Sequence, residues 1–498
     1  MNGQPETASA DTPLTRGIGV WQATALNITM IVGAGVFATI PLMLKELPGP
    51  YALLGWIGAG AIVLVDGLIW SELGAALPGS GGSYQYLLAA YGPKKWGRLM
   101  AFLFIWQFLI SGPLELGSGL VAINSFAPAL SREFQEFNKN RKTELKLGEL
   151  EDNLGETQPL NMSISPARLL AFALGLLIII LLYRNIASLG KLTIAFWIGV
   201  LAAIAWVLIE GMIHFQPAVA FNYTGAAAHV PDALAGKLGA AMIFAMYSYL
   251  GYYNVCYIGD EVNNPGRTIP RSIVLSAVAV VVLFLGLHLA MLGTVPWHDA
   301  LAEKIKDDDY NLPAEFLRQL HGDWAAAVMT VLLIWCCFGS AFAGLLGYSR
   351  IPYGAARNGH FFSVFARVHP TKRIPHLSLL LVGALMLFWS FFDLGVVINA
   401  LITTRILEQF VGQIVGVMLL RKNRPDLYRP YKMMLYPLPC LLALAGWLYL
   451  YWSAGWIFVV LGIGTMSVGV LVFFIWARHT GGWPFNSTTE SPPVATGR

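Results

Sequence analysis

Charge is what this chain has least of: 12% of its 498 residues are charged, 32 basic and 28 acidic, for a net +4. So thin and balanced a set cannot coat a soluble globule of this length, and it offers no basic field for nucleic acid. Cysteine is also scarce. Cys256, Cys336, Cys337 and Cys440 all fall in apolar stretches, and none has metal-ligand spacing with a histidine. A disulfide framework and a metal site are therefore not expected. The first seventeen residues lack the basic start and short apolar core of a secretory signal, so they are expected to stay attached. No phosphate-binding loop, nucleophile elbow or zinc motif occurs. Neither an enzyme nor a cofactor is expected, and any work must draw on gradients rather than ATP.

What the chain has in quantity is apolar sequence, 56% of residues with a mean hydropathy of +0.61. Crossing roughly 30 Å of hydrocarbon takes about 20 apolar residues. On that measure the spans are 18–43, 51–76, 97–127, 167–184, 189–214, 237–259, 269–294, 324–350, 376–392, 394–420, 436–454 and 456–478, twelve in all. An even count puts both termini on one side, and 20 of the 32 Lys and Arg then lie on that side. The excess assigns it to the cytoplasm. Two outer loops stand out, 131–166 and 295–323. Their mixed charges, including Asp307 to Asp309, read as solvated faces with some helix.

Two spans are interrupted at their centres. The first reads ALNITMIVGAGVFATIP from Ala25 to Pro41, with Gly33-Ala34-Gly35 at mid-membrane. Glycine costs a helix interior roughly 1 kcal/mol relative to alanine, so one turn unwinds there at little cost. Unwound backbone inside a bilayer is tolerated where it lines a site, and the amides that open the next half-helix favour an anion. The same residues also suit a helix-packing face. The sixth span centres on Tyr247-Ser248-Tyr249-Leu250-Gly251-Tyr252-Tyr253, aromatics beside a glycine at mid-membrane. The two interruptions fall at matching places five spans apart. Such a pair predicts two inverted five-helix repeats, 18–214 and 237–420, facing each other across a site. Helices 436–478 are then appended, between cytoplasmic tails 1–17 and 479–498.

With these residues in view the chain resembles the amino acid/polyamine/organocation (APC) superfamily, nearest its L-type and bacterial amino acid permease branches. The resemblance covers Gly17 to about Pro437. It rests on IVGAGVF at Ile31 to Phe37, SELGAALPGSGGSYQYLLAAYGP at Ser71 to Pro93, and YLGYYNVCYIGDEVNNPGRTIPRSI at the end of the sixth span. CFGSAFAGLLGYSRIPYGAARNGHFF at Cys337 to Phe362 and RKNRPDLYRPY at Arg421 to Tyr431 complete the set. It implies an all-α, LeuT-type fold of twelve helices, helices one and six interrupted, that moves amino acids across a plasma membrane, bacterial inner membrane in style, by alternating access. It further implies that the amides of Gly33, Ala34 and Gly35 hold the substrate carboxylate. The carbonyls of Ile31, Tyr247, Ser248 and Leu250 would hold its ammonium, with Tyr247 as aromatic gate and Tyr252 as a wall of the side-chain pocket. Relatives with a partner subunit carry a cysteine in the outer loop after span three. This loop has none, so no disulfide-linked partner is expected.

The chain departs from the pattern in span five. Proton-coupled relatives place a lysine mid-span, whereas Phe196 to Trp206 has none and Lys191 lies near the surface. For sodium, Ser340 is the evident hydroxyl ligand. Proton coupling, sodium coupling, exchange and uniport all stay open.

Carboxylates inside spans cost at least about 2.5 kcal/mol when charged and lipid-facing, so each needs an account. Asp66 and Glu115 have no cationic neighbour in sequence and are candidates for a proton-linked or cation-sensing role. Glu408 stands three residues after Arg405, a spacing that predicts an ion pair. Glu210 is expected at the interface, and Glu72 in a structural role. At the cytoplasmic end, Asp260, Glu261, Arg267 and Arg350 form a candidate inner gate. A transporter of polyamines or other organic cations is the main alternative, with Glu115 and Asp66 as its cation site. A non-transporting nutrient sensor is a further one, set against the short tail after Arg478.

Overall fold

A computed structural model describes residues 16–79, 81–151, 157–184, 189–224, 234–297, 310–372, 374–480 and 483. The two tails for nearly all their length, the Asp307 to Asp309 run and the Lys191 side chain lie outside the described residues.

The chain is mostly helical. In order run α1 (Val20–Ile31), α2 (Gly35–Glu46), α3 (Ala52–Ala76), α4 (Ser83–Tyr91), α5 (Gly97–Phe126), α6 (Arg132–Asn140), β1 (Thr143–Glu151) and β2 (Thr157–Ile164). Then come α7 (Pro166–Arg184), α8 (Leu189–Ile213), α9 (Leu234–Tyr249), α10 (Pro265–Leu292), α11 (Leu312–His321), α12 (Asp323–Tyr348) and α13 (Arg350–Arg357). The last are α14 (His376–Trp389), α15 (Leu394–Arg405), α16 (Gly412–Asn423), α17 (Leu438–Ser453) and α18 (Trp456–His479). Among the described residues, eight helical stretches are long and apolar enough to cross a membrane. The pair α1 and α2, bent by 53°, makes a ninth, and α14 and α17 are shorter apolar helices.

The centre of the molecule is α3 packed between α9 and α10. Helix α3 is apolar all round, as a helix with neighbours on several sides must be. Its glycines set the spacing: a Cβ on Gly55 would lie 3.1 Å from that of Ala241 in α9. Small residues of this kind let backbones approach where no water drives helices together. At the periphery α18 turns most of its surface outward, with 17% of its apolar window buried.

The 131–166 stretch corrects the all-α expectation. Among its described residues only the start is helical before α7: Ser131 caps α6 by accepting from Phe134 N at 3.1 Å. Beyond it β1 and β2 form an antiparallel hairpin, Thr143 opposite Ile164, with an irregularity between Lys146 and Gly148. The hairpin is fixed to the helices, since Ser163 N donates to Phe391 O at 3.1 Å. Arg168, 2% exposed at the start of α7, donates to the carbonyls of Ser390 (3.0 Å) and Phe392 (2.7 Å) and to Asp393 Oδ1 (2.8 Å).

Candidate functional site

The first interruption lies where the glycines predict it. Helix α1 stops at Ile31, Val32 is extended (ψ 106°), and α2 restarts at Gly35 with Ala34 as its N-cap. Val32 N still donates to Ile28 O at 2.8 Å, closing the last turn of α1. The amides that follow open a helix and have no preceding turn to bond. The sixth span breaks off inside the predicted stretch, and among the described residues only a four-residue 3-10 turn, Asn254–Tyr257, follows before Pro265. Helix α9 ends at Tyr249, and Gly251 adopts φ +113°, a left-handed conformation that only glycine takes without strain.

The two breaks face each other. A Cβ on Gly251 would sit 3.2 Å from the carbonyl carbon of Met30. A Cβ on Gly35 would meet the ring of Tyr247 at 3.3 Å, and one on Gly33 would meet Ser340 Oγ at 3.2 Å. Thus α1, α2, α9 and α12 converge on Gly33 to Gly35, bringing Tyr247 and Ser340 to the first break. Ser340 is exposed, and Ala343 and Gly347 continue that exposed face along α12. Gly33 and Gly35 are half-buried, whereas Ile31, Ala34, Ser248 and Leu250 are buried.

Polar side chains from inside the spans brace this arrangement. Tyr247 OH and Ser118 Oγ of α5 are 2.7 Å apart, and Ser118 donates to Glu115 O at 2.6 Å. Ser248 Oγ lies 2.9 Å from Thr39 Oγ1 of α2, fastening the two broken helices. Below the breaks, Asn27 Oδ1 accepts from Val255 N at 2.9 Å and Asn27 Nδ2 donates to Ser276 Oγ at 3.3 Å. Sequence reading missed Ser118, Thr39 and Asn27; their one signal is that of hydroxyls and an amide inside apolar spans. Tyr252 is fully buried and its hydroxyl donates to Asp66 Oδ2 in α3. These two therefore sit together, behind the breaks.

The intramembrane charges need a correction. Arg405 does not serve its near neighbour Glu408; its Nη2 binds Glu115 Oε2 of α5, and its Nε donates to Ser111 Oγ at 3.3 Å. Tyr348 OH of α12 donates to the same Glu115 oxygen at 2.7 Å. Glu408 is 1% exposed in a π-helical segment, Ile406–Val411, and its Oε2 has no hydrogen-bond partner among the described residues. The other acids are anchored. Glu72 takes Arg421 Nε at 2.7 Å and Met433 N at 2.8 Å, and Glu210 lies 2.8 Å from His321 Nε2.

At the far end of α1 the fastening is backbone. Gly17 N and Ile18 N donate to Glu261 O at 3.0 and 3.1 Å, and Asn263 N donates back to Ile18 O at 2.9 Å. Asp260 and Glu261 belong to this strap, Arg267 opens the adjoining α10, and Arg350 Nη1 donates to Leu346 O at 2.8 Å. Among the described residues no three His, Cys, Asp or Glu side chains cluster as a metal site.

Eight long apolar helices and a bent ninth pair among the described residues are those of a multi-pass membrane protein. The chain belongs to the amino acid permease family of the APC superfamily, whose family model matches residues 18–489. It is 25% identical to the human (Homo sapiens) cystine/glutamate transporter over 85% of this chain and 77% of that one. It is 26% identical to the aspartate-proton symporter of Bacillus subtilis (strain 168) over 87% and 78%, and 22% identical to that organism's branched-chain amino acid permease over 94% and 95%.

Proposed function

We propose that the protein is a secondary transporter that carries amino acids across a plasma membrane by alternating access. The observation behind this is the meeting of the two breaks, with Met30 O beside Gly251 and the Gly33 to Gly35 backbone beside Tyr247 and Ser340. The opening amides of α2 are donors aimed at one point. The carbonyls of Ile31, Tyr247, Ser248 and Leu250, at chain ends with spare lone pairs, are acceptors close by. An amino acid carries one anionic and one cationic group on a single carbon, so a paired donor and acceptor terminus suits it. The names of the three relatives given above, each of an amino acid transporter or permease, agree with the same substrate class.

In this reading the eight long spans, the bent pair, α9, α14 and α17 make twelve crossings, with N and C termini cytoplasmic. Repeats 18–214 and 237–420 rock about the site. Tyr247 gates its outer side, the strap at Gly17 to Asn263 its inner side, and the exposed face from Ser340 to Gly347 lines the way in. A polyamine reading is weakened by the partners of its two acids, since Arg405 engages Glu115 and Tyr252 engages Asp66.

Thermal stabilisation of the purified protein by each of the twenty amino acids, putrescine and spermidine tests the proposal. A ligand at a hundred times its Kd stabilises by about 2.7 kcal/mol. Stabilisation by one amino acid class, followed by its uptake into proteoliposomes, is the expected result. Stabilisation by polyamines alone overturns it.

A further inference from the structure

One guanidinium and two carboxylates share the buried interior where α5 meets the run from α15 to α16. Arg405 is 3% exposed and is committed to Glu115, a side chain one-quarter exposed. Glu408 is deeper, three residues further along the same helical run, and its Oε2 is unpartnered among the described residues. A second orphan lies at the same depth. Arg405 touches Ser111 of α5, while the site of a Cβ on Gly412 lies 3.2 Å from Met100 of α5. The two runs are therefore antiparallel, and Glu408, between 405 and 412, comes level with Gln107, one turn from Ser111 on the same face. Gln107 is fully buried and neither atom of its amide has a partner among the described residues.

A carboxylate with one oxygen unpartnered in an apolar interior is costly, whereas a carboxylic acid there is neutral and can donate to a nearby acceptor. Among the described residues no cation other than Arg405 faces it, and the backbone amides of Glu408 and Gln409 are its donors. Helix α5 presents Gln107, Ser111 and Glu115. Helix α16 presents Gln413, already bonded to Ser83 Oγ at 2.9 Å, with Arg421 and Lys422 at its far end. Helix α17 brings Trp447, stacked on Phe410 at 3.8 Å, and carries the titratable Cys440, Tyr449 and Tyr451; Tyr253 reaches Phe410 at 6.0 Å.

We propose that Glu408 is a proton-binding site and that Glu115, Arg405 and Glu408 hold one proton between them. This deepens the transporter reading and rests on it, naming the proton as the coupled ion. In the arrangement described here Arg405 neutralises Glu115, and the proton is on Glu408. When the helix turns Arg405 from Glu115 to Glu408, the proton leaves Glu408 as its carboxylate gains a counter-charge. Glu115, the more exposed acid, is then left to take a proton from the aqueous side. The π-helical turn that begins at Ile406 supplies the means, because such a turn can shift its wide hydrogen-bonding register along a helix.

The test uses the full chain in proteoliposomes loaded with the pH-sensitive dye pyranine. The amino acid most stabilising in the panel above is the substrate. Wild type is expected to accumulate it under an acid-outside gradient, with internal acidification. Glu408→Gln, which fixes the neutral form, should still exchange internal for external substrate but lose gradient-driven accumulation. Accumulation by Glu408→Gln equal to wild type, or wild-type accumulation indifferent to the gradient, overturns the proposal. Absence of any stabilisation or exchange in wild type is failure of the transporter reading instead. A second measurement needs neither substrate nor variant: dicyclohexylcarbodiimide, which modifies protonated carboxyls in apolar surroundings, is applied at neutral pH and adducts are mapped by mass spectrometry. Modification of Glu408 is expected. Modification of Glu115 with Glu408 untouched, or of neither, overturns the proton assignment.

Discussion

A Cβ added at Gly35 or Gly33 would come closer to side chains than most Cβ atoms do, 3.3 Å from the Tyr247 ring and 3.2 Å from Ser340 Oγ. Both neighbours are movable side chains, so an added methyl displaces them without unfolding the protein. Gly35→Ala and Gly33→Ala should therefore retain the wild-type melting temperature while weakening substrate affinity by about tenfold, or roughly 1.4 kcal/mol. Ligand-induced thermal shifts read both quantities, and an unchanged affinity would count against the backbone clamp. Glu115→Gln belongs at this scale too. It removes the partner Arg405 has in this arrangement and should cost up to roughly 3 kcal/mol, less where Glu408 ionises to take its place. Pairing it with Arg405→Met should restore most of the lost thermal stability, because no orphan charge is then left. The break glycines were legible because their chemistry is local. The partner of Arg405 was not, because spacing along one helix favours Glu408 while the actual acid lies 290 residues away on α5. Ser118 and Thr39 were hidden for the same reason: a hydroxyl shows its meaning only when another helix supplies its mate.

Among the elements, the long helices declare themselves by apolar length, and expected boundaries such as 97–127, 394–420 and 456–478 fall within a few residues of α5, α15 to α16 and α18. The hairpin did not declare itself. In Thr143 to Leu147 acidic and basic residues alternate with leucines, a period-two signal that the abundance of charge in 131–166 obscured. An isolated two-stranded hairpin is marginal in water, so its order must come from what it is fastened to. Ser163 N ties it to Phe391 O, and Arg168 holds that same turn between α14 and α15 through two carbonyls and Asp393. Arg168→Ala strips three charge-assisted bonds from a buried position and should destabilise by roughly 3 kcal/mol. It should also raise the hydrogen-exchange rate of the 143–164 amides well above that of α5. Unchanged protection there would mean the hairpin is held by something else.

At the scale of the whole molecule, orientation is the quantity left to charge. Helix α5 is 30 residues long, about 45 Å at 1.5 Å per residue, enough to carry its two ends to opposite faces of a bilayer. Lys94 lies just before it and Lys139 just after, on α6, and both are exposed. The basic residues crowd the Lys94 side, which the positive-inside rule makes cytoplasmic. All four native cysteines are buried, so an introduced thiol can be read over a low background. Lys139→Cys should react with a membrane-impermeant maleimide on intact cells, and Lys94→Cys only after the membrane is permeabilised. The reverse pattern would invert the topology and put the Gly17 to Asn263 strap on the outside. Reaction of both from one side would mean that α5 does not cross, and the two breaks could then not be halves of one site at the centre of the bilayer.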